Sequence, residues 1–516
     1  MFNRRSRRDA GRARPAGGSA AAVALGVLVA VLAGPSTAAG TVTITATPGL
    51  YPAFSSAVSD YVVRCTGSSP VKVNVSSSGT SAAFTVDGRQ APSGSTTAVS
   101  LKQGQSFTIG VTPQGGTAQN YFVRCLPSGF PTWTSSRPGS PQAEYYLVAP
   151  SFSTGFGQAS RYIAVFDTNG VPIWWTLPPS PYKPVDAKLL PNGDVLWTEM
   201  QGADATLGYT AEEHRLDGSP VDQTISPVGY QSNAHEVQRL ANGDYLVTGS
   251  YARSGYNLSS HGGPSSATIR DDVIQEVTPG GSAVWTWDAA DHVGLDEVDP
   301  QWWTGIVRGP SPYDVFHMNS AVTDSSGNLL VSLRFADAVF KVANPAGTTN
   351  RGKIVWKLGG SAPTKEPGTR LTIVGDPVFA SGGGFGGQHY PRFFDAGDGN
   401  LYVTLHDNGT GRGRAPRAVR YRIDEGAKTA ALVEQVTDTA APNLRSSCCG
   451  SAKRLPGGDW VMSWGGNPVV TELAPAGKRA FLLTFSGTFS YRADPILPGV
   501  LTRDVLRSAM NVQYPR

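Results

Sequence analysis

Residues 313–335 read YDVFHMNSAVTDSSGNLLVSLRF, and the reading of this stretch decides the fold. Apolar and polar residues alternate from Met318 to Val322, Asp324-Ser-Ser-Gly327-Asn328 supplies a turn, and a second alternating run ends at Leu333. Period-two alternation broken by an Asp/Gly/Asn turn predicts a β-hairpin. His317 opens the first strand and Arg334 follows the second, so the hairpin brings an imidazole and a guanidinium to one edge of a sheet. Two variants recur, NAHEVQRLANGDYLVTGS around His235 and GGQHYPRFFDAGDGNLYVTLHD around His389. Three of the chain's seven histidines therefore hold the same place in three copies of one unit.

Outward from these copies the chain keeps repeating. Inner hairpins of the type L-x-N-G-D-x-L occur at Leu190, Leu240 and, with Gly457 for Asn, at Leu455; those around Gly327 and Gly399 are looser copies. They alternate with outer hairpins that often end in Trp, such as IAVFDTNGVPIWW, DVIQEVTPGGSAVWTW and AVFKVANPAGTTNRGKIVWKL. Six outer hairpins stand against five continuous inner ones. The missing inner pair is expected from Tyr145–Ala149 and Phe489–Ile496, which would close a ring with strands from both ends. Inner plus outer hairpin makes four strands, one propeller blade. The expected fold is all-β: a six-bladed β-propeller over 143–516, with five or seven blades as alternatives. Long inserts at 251–272, 288–313 and 359–387 sit where binding function concentrates on a rigid scaffold. Trp302-Trp303 in the second could line an aromatic pocket or pack the loop.

Ahead of the repeats, residues 40–127 carry short alternating runs at the spacing of a small β-sandwich, followed by a Pro/Ser/Gly linker over 128–142. Residues 1–39 read as a signal peptide: an arginine-rich opening, a small-residue apolar run from Ser19 to Ala33, and an A-x-A-like site ending at Ala39. The Arg4-Arg5 and Arg7-Arg8 pairs leave Sec and twin-arginine export both open. The expected location is secreted or cell-envelope, with no stable membrane insertion after cleavage. Most of the net charge of +4 lies in that segment, so no basic stripe for nucleic acid is left. Four cysteines fit an oxidising compartment. Cys65 and Cys125 end the similar strands DYVVRC and NYFVRC and could pair; Cys448-Cys449 is either a vicinal disulfide or two thiols. No long amphipathic helix is evident after the signal segment.

His235, His317 and His389 each enter a blade's first strand from the same end and should converge on one channel mouth with Arg334. Imidazoles around a guanidinium suit an anionic, oxygen-rich group such as sulfate or phosphate. An adjacent guanidinium also keeps a histidine neutral and nucleophilic. Glu236 would alternate to the opposite face, and His406 is a secondary candidate. Three histidines could instead hold zinc, iron or copper, but no Asp or Glu shares their register and Arg334 would repel a cation, so no metal site is expected.

The NAHEV segment at His235, HMN with SLR from His317 to Arg334, and Gln388-His389 together resemble the PAPS-independent bacterial arylsulfate sulfotransferases. The resemblance spans Ala143 to about Ile496. It implies that His389 is transiently sulfated, that His317, Arg334 and His235 hold the sulfuryl oxygens or assist proton transfer, and that Asn319 contacts substrate. It implies ping-pong transfer from an aryl sulfate to a phenol, without a cofactor. Two alternatives are an aryl sulfate hydrolase and a non-catalytic secreted ligand-binding propeller. A homodimer is one assembly open to such a chain. The family's disulfide closes a short loop, and the adjacent pair at Cys448 departs from that pattern.

Overall fold

Asp324 makes the hairpin of residues 313–335 turn. Its Oδ1 accepts from the backbone N–H of Ser326 and Asn328 at 2.9 and 2.8 Å, and Gly327 takes the left-handed conformation (φ 85°). Strands Met318–Thr323 and Leu329–Leu333 pair antiparallel, Thr323 opposite Leu329 and Met318 opposite Leu333. The same device recurs where Asn192 and Asn242 accept from Asp194 and Asp244, with Gly193 and Gly243 left-handed. The computed structural model describes residues 41–79, 81–154, 159–202 and 205–516. The expected export segment, 1–39, lies outside the described residues.

The repeats form six sheets, each with a four-stranded antiparallel meander. Their first strands are Lys183–Leu189, Gln231–Arg239, Met318–Thr323, His389–Phe394, Ser451–Arg454 and Ala493–Ile496. Each of these lies beside the next, and the last lies beside the first, so they form a closed circuit. Closure is made by Ala493–Ile496 pairing antiparallel with Tyr145–Val148, the expected union of the two chain ends. Trp133–Ser136, in the stretch expected as linker, adds an edge strand to Lys478–Phe485.

Buried tryptophans of the meanders join neighbouring sheets. The indole N–H of Trp174, Trp287, Trp356 and Trp460 donates to Leu216 O, Gly352 O, Glu425 and Glu434, each across a sheet boundary, at 2.7 to 2.9 Å. Each such ring contributes roughly 4–6 kcal/mol of gross transfer free energy and also satisfies its own donor. Two further sheets, of three and five strands, share one apolar core in residues 41–126, closed by a Cys65–Cys125 disulfide.

Helices are few, but one exceeds the sequence expectation. Arg503–Gln513 is capped by Thr502 and buries Leu506, Ala509 and Met510. Its apolar stripe is narrow amid charged neighbours, which hides it from periodicity. Arg503 and Arg507 both pair with Asp60, and Arg503 with Asp167, so the helix ties the N-terminal sheets to the ring. In the second insert, Pro300–Arg308 is a helix capped by Asp299. Among the described residues no helix is long and apolar enough to cross a membrane.

Candidate active site

The end of the hairpin brings its two groups together: the Arg334 N–H donates to His317 O at 3.1 Å. His317 itself is left-handed (φ 53°), a conformation that costs a non-glycine residue of order 1–3 kcal/mol and marks functional sites. From the neighbouring sheets His235 and His389 reach the same space. The rings of His235 and His317 lie 5.1 Å apart, and His235 and His389 flank Tyr491 at 5.8 and 6.4 Å. Asn319 donates to Gln388 O at 2.7 Å, bracing the residue ahead of His389. The five residues singled out by sequence therefore meet at one place.

Each imidazole has its Nδ1 against an oxygen. In His235 it is Asn233 Oδ1 at 2.5 Å, which also accepts the His235 N–H; in His317 it is Asp314 Oδ2 at 2.5 Å. In His389 it is Gly387 O at 2.8 Å and Asn408 Oδ1 at 2.9 Å. These acceptors hold a proton on each Nδ1, and at His389 they leave Nε2 with its lone pair. The backbone N–H of Cys449 donates to that Nε2 of His389 at 3.0 Å. Burial, then Arg334, holds the His389 imidazole well below its ordinary pKa, so it is neutral at pH 7.

The wall around His389 is built by the segment that carries the Cys448–Cys449 disulfide. Asn408 donates to Ser446 Oγ and Cys449 O, and Arg334 donates to Ser447 O at 2.9 Å. The Arg334 guanidinium lies over Trp302 at 4.3 Å and Phe335 at 5.2 Å. The insert tryptophans thus divide: Trp302 reaches the site, while Trp303 is buried in a stack on His261. The Pro300–Arg308 helix is pinned to the ring through Gln301 and Arg412, both bonded to Asp337.

Beneath the imidazoles lies a charged layer. Glu236 accepts from Lys188, Ser320, Arg392 and Arg492, and Asp186 pairs with Lys188 and Arg492. Burial alone would raise the Glu236 carboxyl, but Arg392, Arg492 and Lys188 outweigh it and hold it well below the carboxylate range. Glu236 points at this layer and not away from the axis, because the strand register is irregular between Ser232 and Val237. Below it a cavity of about 240 Å³, lined by Lys188, Gln238, Thr323, Arg392, Lys453 and Asp494, opens at the far end of the first strands.

The other histidines serve packing. His214 bonds Glu212 and lies tilted against Trp197, and His292 bonds Glu366 and stacks on Trp287. His406 faces His389 across a strand pair, fully buried, with neither ring nitrogen bonded among the described residues. Sequence reasoning missed Asp314, Asn233, Asn408 and Tyr491. A signal existed for one: His406-Asp407-Asn408 repeats the H-x-N spacing of His317 to Asn319. Among the described residues no group of three His, Cys, Asp or Glu is arranged to hold a metal ion.

None of the curated proteins matches the chain. Among solved structures it is similar to a protein of unknown function from Bacteroides caccae, at 14% identity over 69% of this chain and 99% of that one, TM-score 0.39. A streptogramin B lyase matches at 11% identity over 73% and 87%, TM-score 0.32. A catalytically inactive virginiamycin B lyase from Staphylococcus aureus with quinupristin matches at 11% over 76% and 92%, TM-score 0.31. A family model described as Arylsulfotransferase (ASST) matches residues 142–479, a span that holds all three clustered histidines and Arg334, and it supports aryl sulfotransferase activity in the broad sense. The chain belongs to the arylsulfotransferase family.

Proposed function

We propose that the protein is an exported aryl sulfate sulfotransferase that moves a sulfuryl group from an aryl sulfate to a phenol through N-sulfated His389, without a carrier nucleotide. The observation that carries the reading is the neutral, buried His389, its Nδ1–H pinned by Gly387 and Asn408, beside Arg334 and two more imidazoles. Six meanders in a closed circuit of first strands support a six-bladed β-propeller, and the shared core of the N-terminal sheets supports a β-sandwich. The composition of residues 1–39, with two disulfides downstream, supports export to the envelope or outside.

In the first half-reaction the Nε2 lone pair attacks sulfur, the S–O(aryl) bond breaks, and its electron pair leaves on the phenolate oxygen. Arg334 holds the equatorial oxygens, as fixed cationic donors do in phosphoryl transfer. The Cys449 N–H gives up Nε2 as the N–S bond forms, and a sulfuryl oxygen becomes its nearest acceptor. In the second half a phenol oxygen attacks sulfur, its proton goes to a neighbouring imidazole, and the N–S pair returns to Nε2. Asn319 acts by bracing Gln388, and Glu236 by holding the layer below.

Mass spectrometry after exposure to 4-nitrophenyl sulfate tests this. One sulfuryl group is expected on the His389 peptide, discharged by added phenol and absent in His389→Asn. Release of 4-nitrophenolate with no protein adduct, at a rate indifferent to phenol, would instead establish hydrolysis.

A further inference from the structure

We infer that Asp314 and His317 form the proton-transfer pair of this site: His317 Nε2 gives and takes the proton, and Asp314 is its positioning carboxylate. The inference rests on the transfer reading above and names the group that reading leaves open.

All three imidazoles turn Nδ1–H toward an oxygen but differ in what holds it. His235 is held by the neutral amide of Asn233, and His389 by a carbonyl and an amide beside Arg334. His317 has a carboxylate, Asp314, on its Nδ1. A neutral acceptor fixes a ring; a carboxylate also stabilises the imidazolium that forms when Nε2 takes a proton. His317 is moreover the more open ring, its side chain 15% exposed, whereas His235 and His389 are buried. It can therefore exchange its proton with solvent between turnovers.

The carboxylate is placed by the second insert. Tyr313–Asp314 pairs parallel with Ile269–Arg270, three residues ahead of His317 and fixed to the neighbouring sheet. A second acid stands behind it: Asp272 Oδ2 accepts from the Met318 N–H at 2.8 Å, and its Oδ1 is buried without a hydrogen-bond partner among the described residues. Burial, then the charge of Asp314, pushes the Asp272 carboxyl up to about 7. Among the described residues, the titratable groups facing His317 include Asp314, Asp272 and His235, with Arg334 at the hairpin end.

The protons balance across the cycle. As the S–O(aryl) bond of the donor breaks, the His317 imidazolium passes its Nε2 proton to the departing phenolate oxygen and becomes neutral. As the acceptor phenol attacks sulfo-His389, its hydroxyl proton returns to Nε2. The enzyme ends as it began.

The test is the leaving-group dependence of His389 sulfation in single turnover, with aryl sulfates from 4-nitrophenyl to phenyl. A good leaving group needs little proton assistance and a poor one needs much. Asp314→Asn is expected to slow phenyl sulfate about 100-fold while slowing 4-nitrophenyl sulfate only a few-fold, a span set by the usual yield of general acid catalysis. Asp314→Glu is expected to restore most of the phenyl sulfate rate. A loss equal for all donors, or no loss, overturns the pair. Should Asp314→Asn show no cooperative melt, the wild-type solvent-deuterium isotope effect with phenyl sulfate decides: a value clearly above one that vanishes in His317→Asn supports the pair, and unity overturns it. Absence of any sulfated His389 in the wild type is a separate result and sinks the transfer reading itself.

Discussion

His389 and His406 face each other across one strand pair, yet only one is equipped for chemistry. His389 has an oxygen partner on Nδ1 and an N–H donor on Nε2, while His406 has neither among the described residues. Burial lowers both pKa values; Arg334 lowers His389 further, and His406 falls to about 4. A base whose folded-state pKa is depressed binds fewer protons folded than unfolded below about pH 6.5, so its stability contribution is full above that pH and drains as the pH falls. For His406 the drain amounts to about 3 kcal/mol by pH 4. Asp272 and Asp337, both pushed up to about 7 chiefly by burial, act in the opposite sense, losing stability as pH rises toward 7. The contribution of His406 is therefore read as a difference. Urea melts of wild type and His406→Gln between pH 7 and pH 4 should show the variant losing less stability by about that amount. Parallel curves would mean that His406 titrates normally. For His389 the same depression means that the proposed nucleophile stays unprotonated well below pH 6.5, so an acid limb in the rate is not expected from it.

At the scale of elements, the segment before His389 leaves little room for a side chain. Gly387 is left-handed (φ 63°); a Cβ there would stand 3.3 Å from both Arg334 Nε and the Trp302 ring, while its N–H and O serve Asp337 and His389. Gly387→Ala should cost about 1–2 kcal/mol in backbone strain. It should cost more in rate, roughly 10- to 100-fold in kcat/KM, because misplacing a guanidinium by a fraction of an ångström weakens it selectively in the transition state. An alanine variant with full activity would show that Arg334 does not need its present seat. What sequence could and could not convey also sorts by element. Hairpins were legible because alternation and Asx turns are local, and the register of His235, His317 and His389 followed from the same spacing. The partners of those histidines were not. Asp314 directly follows an insert ahead of its strand, Asn408 arrives through the pairing of His389 with His406, and Tyr491 comes from the far end of the chain. Each is set by tertiary pairing, which a one-dimensional period does not encode. Glu236 was assigned to the wrong face for a related reason: alternation fails where strand register is irregular.

Over the whole molecule, a closed circuit of sheets leaves an axis that side chains must fill, and here polar groups fill it. Glu236 from the Gln231–Arg239 strand receives Lys188, Ser320, Arg392 and Arg492, so groups from four other parts of the ring meet on one carboxylate. Arg492 matters most for closure, because it directly precedes the strand Ala493–Ile496 that joins the two chain ends, and it also donates to Asn319 O at 3.0 Å. The layer thus couples ring closure to the histidine site above it: Tyr491, next in the chain, is the ring between His235 and His389. Removing one partner from a buried ion network leaves uncompensated charge, which costs about 3–5 kcal/mol where the network is desolvated. Glu236→Gln keeps the shape and removes the charge, leaving Arg392, Arg492 and Lys188 to repel one another. Its guanidinium-chloride midpoint should fall by the equivalent of that free energy, and activity should fall with it through the displaced Tyr491. If the variant instead unfolds at the wild-type midpoint, the axis is held by the sheets alone and the charged layer is a passive filling. If the midpoint falls but catalysis is intact, the layer closes the ring without setting the geometry of the imidazoles.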